Sequence, residues 1–172
     1  PPIPRRGRCR ACQGARLILC QRPDRGANAQ IAGVKMNYWL VKTEPETWSW
    51  DDQVKKGAEP WSGVRNHQAA NNMKAMKRGD LAFFYHSGGE KQIVGVVSVG
   101  KEYHPDPSDP TGKFGMVEMK AVGPVEKPVT LAAIKADKRL KHLLLVRQSR
   151  LSVMPIDAKS WKLICEMAGL SP

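Results

Sequence analysis

Gly79-Asp80-Leu81-Ala82-Phe83-Phe84-Tyr85-His86-Ser87-Gly88-Gly89-Glu90-Lys91-Gln92-Ile93-Val94-Gly95-Val96-Val97-Ser98-Val99 reads as two strands separated by one glycine loop. Gly79-Asp80 is a turn. The apolar run 81–86 is short and ends in polar tips, which suits a buried strand rather than a helix. Ser87-Gly88-Gly89 breaks it, and 92–99 is β-branched again, with Gly95 marking a bulge or a close backbone approach.

The neighbours of this pair are shorter and less regular. Upstream, Tyr38-Trp39-Leu40-Val41 reads as a strand, and Ser49 with Asp52 resembles a capping box for a helix over 50–56 that stops at Gly57. Residues 66–76 place Ala69, Ala70, Met73 and Met76 at helical spacing. Downstream, 104–112 holds three prolines and reads as a loop, and 113–122 as a strand. Thr130 caps a helix over 131–136, 142–146 and 151–153 read as strands, and Asp157 caps a last amphipathic helix ending at Gly169. Five or six strands among short helices at irregular spacing do not fit βαβ repeats. The expectation is an α+β domain, with a small, strongly curved mixed sheet or pseudo-barrel flanked by short helices.

Charge divides the chain. It has 172 residues, with 28 Lys and Arg against 16 Asp and Glu, a formal net charge of +12. Residues 1–35 hold eight of the basic groups and one acid, leaving 20 basic and 15 acidic groups, or +5, for the remainder. That first segment is rich in Arg, Gly, Pro and Cys and has no useful period. It is read as a basic N-terminal extension, disordered or non-native, with Met36 as the natural start and 36–172 as the domain. Its alternative use is as a nucleic-acid-binding arm. Cys9 and Cys12 with Cys20 lack a fourth ligand for zinc. No run of about 18 apolar residues, no heptad and no 20–50-residue repeat is present, which argues against a membrane span, a coiled coil or a solenoid. Four cysteines, one of them in the domain, point to a reducing interior, cytoplasmic in a bacterium or nuclear in a eukaryote.

Five segments carry a family resemblance. They are Tyr38-Trp39-Leu40-Val41-Lys42-Thr43-Glu44-Pro45, Trp61-Ser62-Gly63-Val64-Arg65-Asn66-His67-Gln68-Ala69, Met76-Lys77-Arg78-Gly79-Asp80, Phe83-Phe84-Tyr85-His86-Ser87 and Leu145-Val146-Arg147-Gln148-Ser149-Arg150-Leu151-Ser152-Val153. In order and spacing they resemble the EVE domain family, over roughly residues 36–170. The resemblance implies a PUA-like fold, a relation to YTH and ASCH domains, and the reading of modified nucleobases, such as 5-methylcytosine or 5-hydroxymethylcytosine, in DNA or RNA. Two departures stand out. His67 replaces a common aromatic such as Tyr, and Gly88-Gly89-Glu90-Lys91 replaces a loop in which Asn often follows the Ser.

The chemistry of these segments agrees with such a reading. Four of the five Trp lie between positions 39 and 61, and Trp rings either fill cores or stack on bases. Trp39 is a strand residue and so a core residue by pattern, although it belongs with the candidate ligand contacts. Trp61 sits in a loop. Lys42 and Glu44 are two apart on an expected strand and share a face, as a pocket pair with Glu44 reading an amine edge or as a solvated pair. Ser62 and Asn66 flank a turn where Asn66 either caps a helix or lines a rim. Tyr85, His86 and Ser87 offer three polar tips at a strand end, and Ser149 lies between two arginines. Arg65, Arg147 and Arg150 are read as contacts to the nucleic-acid backbone, or as ion pairs inside the fold. No metal and no cofactor is expected, since neither His104 nor His142 has partners at ligand spacing and no glycine-rich phosphate motif occurs. No G-x-S-x-G elbow accompanies Ser149, so a catalytic triad is not expected. The runner-up is an ASCH-like, metal-independent amidohydrolase acting on a modified cytidine, with Lys42, Glu44 and His86 as its set. A module for a small ligand or a protein partner is a third reading. A monomer without a membrane partner is expected.

Overall fold

A computed structural model describes residues 36–170. The expectations for residues 1–35, the extension and its cysteines among them, lie outside the described residues. Six strands run in chain order: β1 (Tyr38–Thr43), β2 (Ala58–Pro60), β3 (Leu81–His86), β4 (Gln92–Pro105), β5 (Gly115–Thr130) and β6 (Val153–Ile156). They form one sheet in the order β2-β5-β4-β3-β1-β6, in which β1 and β3 are parallel and the other pairs antiparallel. The helices are α1 (Trp50–Lys56), α2 (His67–Ala75), α3 (Leu131–Ala136), α4 (Leu144–Arg147) and α5 (Ala158–Ala168). No helix among the described residues is long and apolar enough to cross a membrane.

The apolar run at the centre of β3 is continuous because both faces of the sheet are covered there. Phe83 and Phe84 point to opposite sides. Phe83 stacks on Trp161 of α5 at 3.9 Å between ring centroids, and Tyr38 stacks on the same indole at 4.5 Å. Phe84 meets the edges of Trp50 and Trp61 at 5.3 and 5.8 Å. Register shifts interrupt the long β4–β5 pair in four places, between 93 and 104 along β4. Such bulges bend a strand and increase its twist, which produces the curvature expected from the sequence. The sheet remains open, with β2 and β6 as its two edges.

Several local expectations need correction. Residues 142–146 do not form a strand. The backbone N–H groups of Val146 and Arg147 donate to Leu143 and close the helical turn α4. An apolar run of that length has no period that separates strand from helix. The last strand is β6 rather than 151–153, and its Pro155 is tolerated because β6 is an edge strand. β4 reaches Pro105 and β5 runs from Gly115 to Thr130, so the expected loop shifts by two residues, to 106–114. β2 has no counterpart in the sequence reading.

Candidate functional site

β1 and β3, being parallel, end side by side, with Thr43 opposite His86. Ser87 closes that edge, donating through both its N–H and its hydroxyl to the Thr43 carbonyl at 2.8 and 3.0 Å. Beyond Thr43 the chain turns: the Glu44 carbonyl accepts from the N–H groups of Thr47 and Trp48, each at 2.9 Å. Glu44 is therefore off the strand, and the shared strand face expected for Lys42 and Glu44 does not exist. The turn delivers Trp48 to the mouth of a cavity of about 390 Å³. That volume falls within the roughly 300–1,000 Å³ of small-ligand sites.

The walls of this cavity come from three places. β1 and its turn supply Lys42, Thr43 and Trp48, the segment after β2 supplies Trp61 and Ser62, and β2 itself supplies Glu59. Trp48 is half-buried, and its indole N–H donates to Gln53 Oε1 at 3.0 Å; Gln53 in turn is fully buried and donates to the Met119 carbonyl. Lys56 Nζ lies 5.6 Å from the centre of the same indole. Trp61 is 8% exposed and continues the β2 pairing by donating to the Val117 carbonyl at 2.7 Å. Lys42 Nζ donates to the Ser149 carbonyl at 2.5 Å, and burial pushes its ammonium below the usual lysine range.

Asp106 fixes the loop that carries Trp61. It is buried, and its Oδ2 accepts from Gly63 N–H at 3.0 Å and from Arg65 Nη1 at 2.9 Å, while Oδ1 accepts from Ser108. Burial opposes ionisation here, but the donors from Ser108, Gly63 and Arg65 win and hold the carboxyl well below the usual range. Gly63 has φ +77°, a left-handed conformation that glycine adopts without strain.

A groove leads away from the cavity. A second depression, of about 510 Å³, shares Lys42 and Thr43 with the first and adds Glu44, Ser87, Ser149 and Arg150. A third shares Ser149 and Arg150 with the second and adds Asn66 and Arg147. Arg147 and Arg150 are exposed, and neither makes an ion pair among the described residues. Arg65 differs from them, because its guanidinium is engaged by Asp106 and by Ser108 Oγ at 2.9 Å. Asn66 caps α2 by accepting from Ala69 N–H at 3.0 Å, which leaves its amide nitrogen at the groove rim.

Three sequence candidates lie elsewhere. Trp39 is 5% exposed, and its indole N–H donates to buried Asp80 at 2.9 Å, so it is a core residue and not a ligand contact. Tyr85 is 2% exposed and lines none of the three depressions. His86 is also buried, and both of its ring nitrogens are taken. Nε2 accepts from Trp50 N–H at 3.1 Å, which leaves the proton on Nδ1 to be donated to Glu90 at 2.7 Å. Lys42, Glu44 and His86 are thus not assembled around one space, and the amidohydrolase set finds no support in the geometry. The sequence reading missed Glu59, Thr47, Ser152 and Asp106. Glu59 carries no local signal of its own, because the strand that places it, β2, forms only by pairing with β5.

The EVE domain model matches residues 37–167. Thymocyte nuclear protein 1 of Mus musculus is 31% identical over 175 residues, covering 79% of this chain and 75% of the relative. A solved structure from Rhodopseudomonas palustris has 54% identity and a TM-score of 0.75, over 78% of this chain and 94% of that one. The crystal structure of human THYN1 protein in complex with 5-methylcytosine containing DNA has 29% identity and a TM-score of 0.72, over 79% of this chain and 99% of that one.

Proposed function

Starting from the chain's membership of the EVE domain family, we propose that it binds nucleic acid carrying a modified base of the 5-methylcytosine or 5-hydroxymethylcytosine kind. The base leaves its stack and enters the cavity lined by Trp48 and Trp61, and the flanking backbone follows the groove past Arg150 and Arg147. The observation that carries this reading is the continuity between the aromatic cavity and a groove edged by two arginines that make no ion pair among the described residues. Aromatic surface grips any base, polar groups select among bases, and exposed guanidinium groups attract phosphates. The complex of human THYN1 protein with 5-methylcytosine containing DNA supports the same assignment.

Lys42 adds a directional element. One of its three N–H donors is spent on the Ser149 carbonyl, and two remain for a base edge or a phosphate. Ser62, exposed at the rim, contributes a hydroxyl that both donates and accepts. The test is a competition titration of the full chain with short oligonucleotides, both DNA and RNA, that differ at one cytosine. Selective retention of the 5-methyl or 5-hydroxymethyl oligonucleotide is expected. Trp48→Ala should weaken that binding by about 1–3 kcal/mol, the value of one base–aromatic stack. Equal binding of modified and unmodified oligonucleotides at low salt, unchanged by Trp48→Ala, refutes the proposal.

A further inference from the structure

Glu59 is the only carboxylate lining the Trp48–Trp61 cavity among the described residues. On the extended backbone of β2 and its continuation, Glu59 and Trp61 are two apart and project to the same side. The Glu59 side chain is 21% exposed. Its Oε2 is shielded from solvent and pairs with Lys56 Nζ, three residues earlier at the end of α1. The same ammonium sits over Trp48, so a single lysine ties the carboxylate to an aromatic wall. Among the described residues, Oε2 has this one charged partner and accepts no further hydrogen bond.

We propose that Glu59 selects the base, by accepting a hydrogen bond from the exocyclic amino group of an amino-bearing nucleobase, and that Lys56 is its positioning residue. This inference rests on the cavity being the base site. A carboxylate only accepts, so it complements an amino group and opposes a carbonyl at the same ring position. Lys42, on another wall of the cavity, only donates. An acceptor and a donor on separate walls complement an edge with an amino group beside a ring acceptor, the pattern of cytosine among the pyrimidines and of adenine among the purines. The edge of thymine or uracil, with a carbonyl in place of the amino group, would set oxygen against oxygen at Glu59. Glu44, the acid expected from the sequence to read an amine, is exposed and lines the neighbouring depression instead.

5-Methylcytosine and thymine share the methyl group and differ at the amino or carbonyl position, which makes them the discriminating pair. Matched single-stranded oligonucleotides carrying one of 5-methylcytosine, thymine, cytosine or uracil compete for the full chain. The unsubstituted chain should favour 5-methylcytosine over thymine by about tenfold or more, as for one well-placed base-edge contact. Glu59→Gln should bring that ratio to within about threefold of parity, because an amide both donates and accepts. Glu59→Ala serves as a second variant, and thermal melts of both establish that they fold. Lys56→Ala should lower the ratio without abolishing binding. Two results overturn the inference alone: 5-methylcytosine and thymine binding equally while both outcompete cytosine and uracil, or Glu59→Gln and Glu59→Ala retaining the original ratio. Equal binding of all four oligonucleotides overturns the base-binding reading as well.

Discussion

Arg65 reaches 41 residues along the chain to Asp106, its Nη1 lying 2.9 Å from an Oδ2 that is shut off from solvent. The guanidinium is itself partly exposed, yet the carboxylate also takes Gly63 N–H, so one buried anion holds two points of the loop behind Trp61. Asp106→Asn leaves the buried donors facing a neutral amide. A loss of about 2–4 kcal/mol of stability is expected, read from urea unfolding. The pH dependence has a definite sign. A carboxyl with a depressed folded pKa contributes stability above its unfolded value, 3.8, and that contribution is lost as pH falls through the folded value. Asp109, held at about 2 first by Thr111 and then by Phe114 and Arg65, acts in the same direction. The unsubstituted protein should therefore lose stability steadily below about pH 4, and Asp106→Asn should lose less over that range.

Trp50 crosses Gly95 so closely that a Cβ on the glycine would lie 2.4 Å from the indole. The same tryptophan presents its edge to Phe84, and its backbone N–H is held by His86. A methyl group at position 95 cannot be accommodated without displacing the ring and the start of α1. Gly95→Ala should cost about 1–3 kcal/mol in a denaturant titration. A neutral result there would mean that α1 is free to shift on the sheet.

Asp80 is the polar anchor beneath Trp39. It is 4% exposed and accepts from the Trp39 indole N–H at 2.9 Å, from Lys77 N–H at 3.0 Å and from Asn37 N–H at 3.2 Å. Asp80→Ala removes three hydrogen bonds and leaves an indole donor without a partner in the core. The expected loss is about 2–4 kcal/mol, with Trp39→Phe costing less because it removes the donor together with its need for a partner. Thermal unfolding of the two variants gives the order directly.

What the sequence disclosed follows physical lines. The run 81–86 and the strand after it were readable because a double-sided buried strand has a distinctive apolar density. The caps at Ser49, Asn66, Thr130 and Asp157 were readable because capping is local chemistry, and all four accept the expected backbone bonds. The α4 turn was not, because apolar residues 143–146 fit either element and the outcome depends on which sheet edge is free. The cavity was half readable. Trp61, Ser62 and Lys42 announced themselves by type and position, whereas Glu59 enters through the pairing of β2 with β5, a contact across about 60 residues that no local pattern carries. Trp39 and His86 misled for the opposite reason: both are chemically versatile, and tertiary partners, Asp80 for one and Trp50 with Glu90 for the other, consume that versatility.

Arg147 and Arg150 separate phosphate attraction from base selection. Both are exposed, neither makes an ion pair among the described residues, and they line the groove rather than the aromatic cavity. Replacing either with alanine should leave stability within about 0.5 kcal/mol, since no packing or buried bond is lost. The effect should appear in binding. Each phosphate contact removed lowers affinity for modified and unmodified oligonucleotides alike and reduces the slope of log affinity against log salt by about one. The ratio between 5-methylcytosine and cytosine oligonucleotides should therefore be unchanged in Arg147→Ala and Arg150→Ala, even as both affinities fall. Titrations at four or five salt concentrations measure the slope and the ratio together. A changed ratio would place the guanidinium against the base. An unchanged slope would place the nucleic-acid backbone elsewhere on the surface.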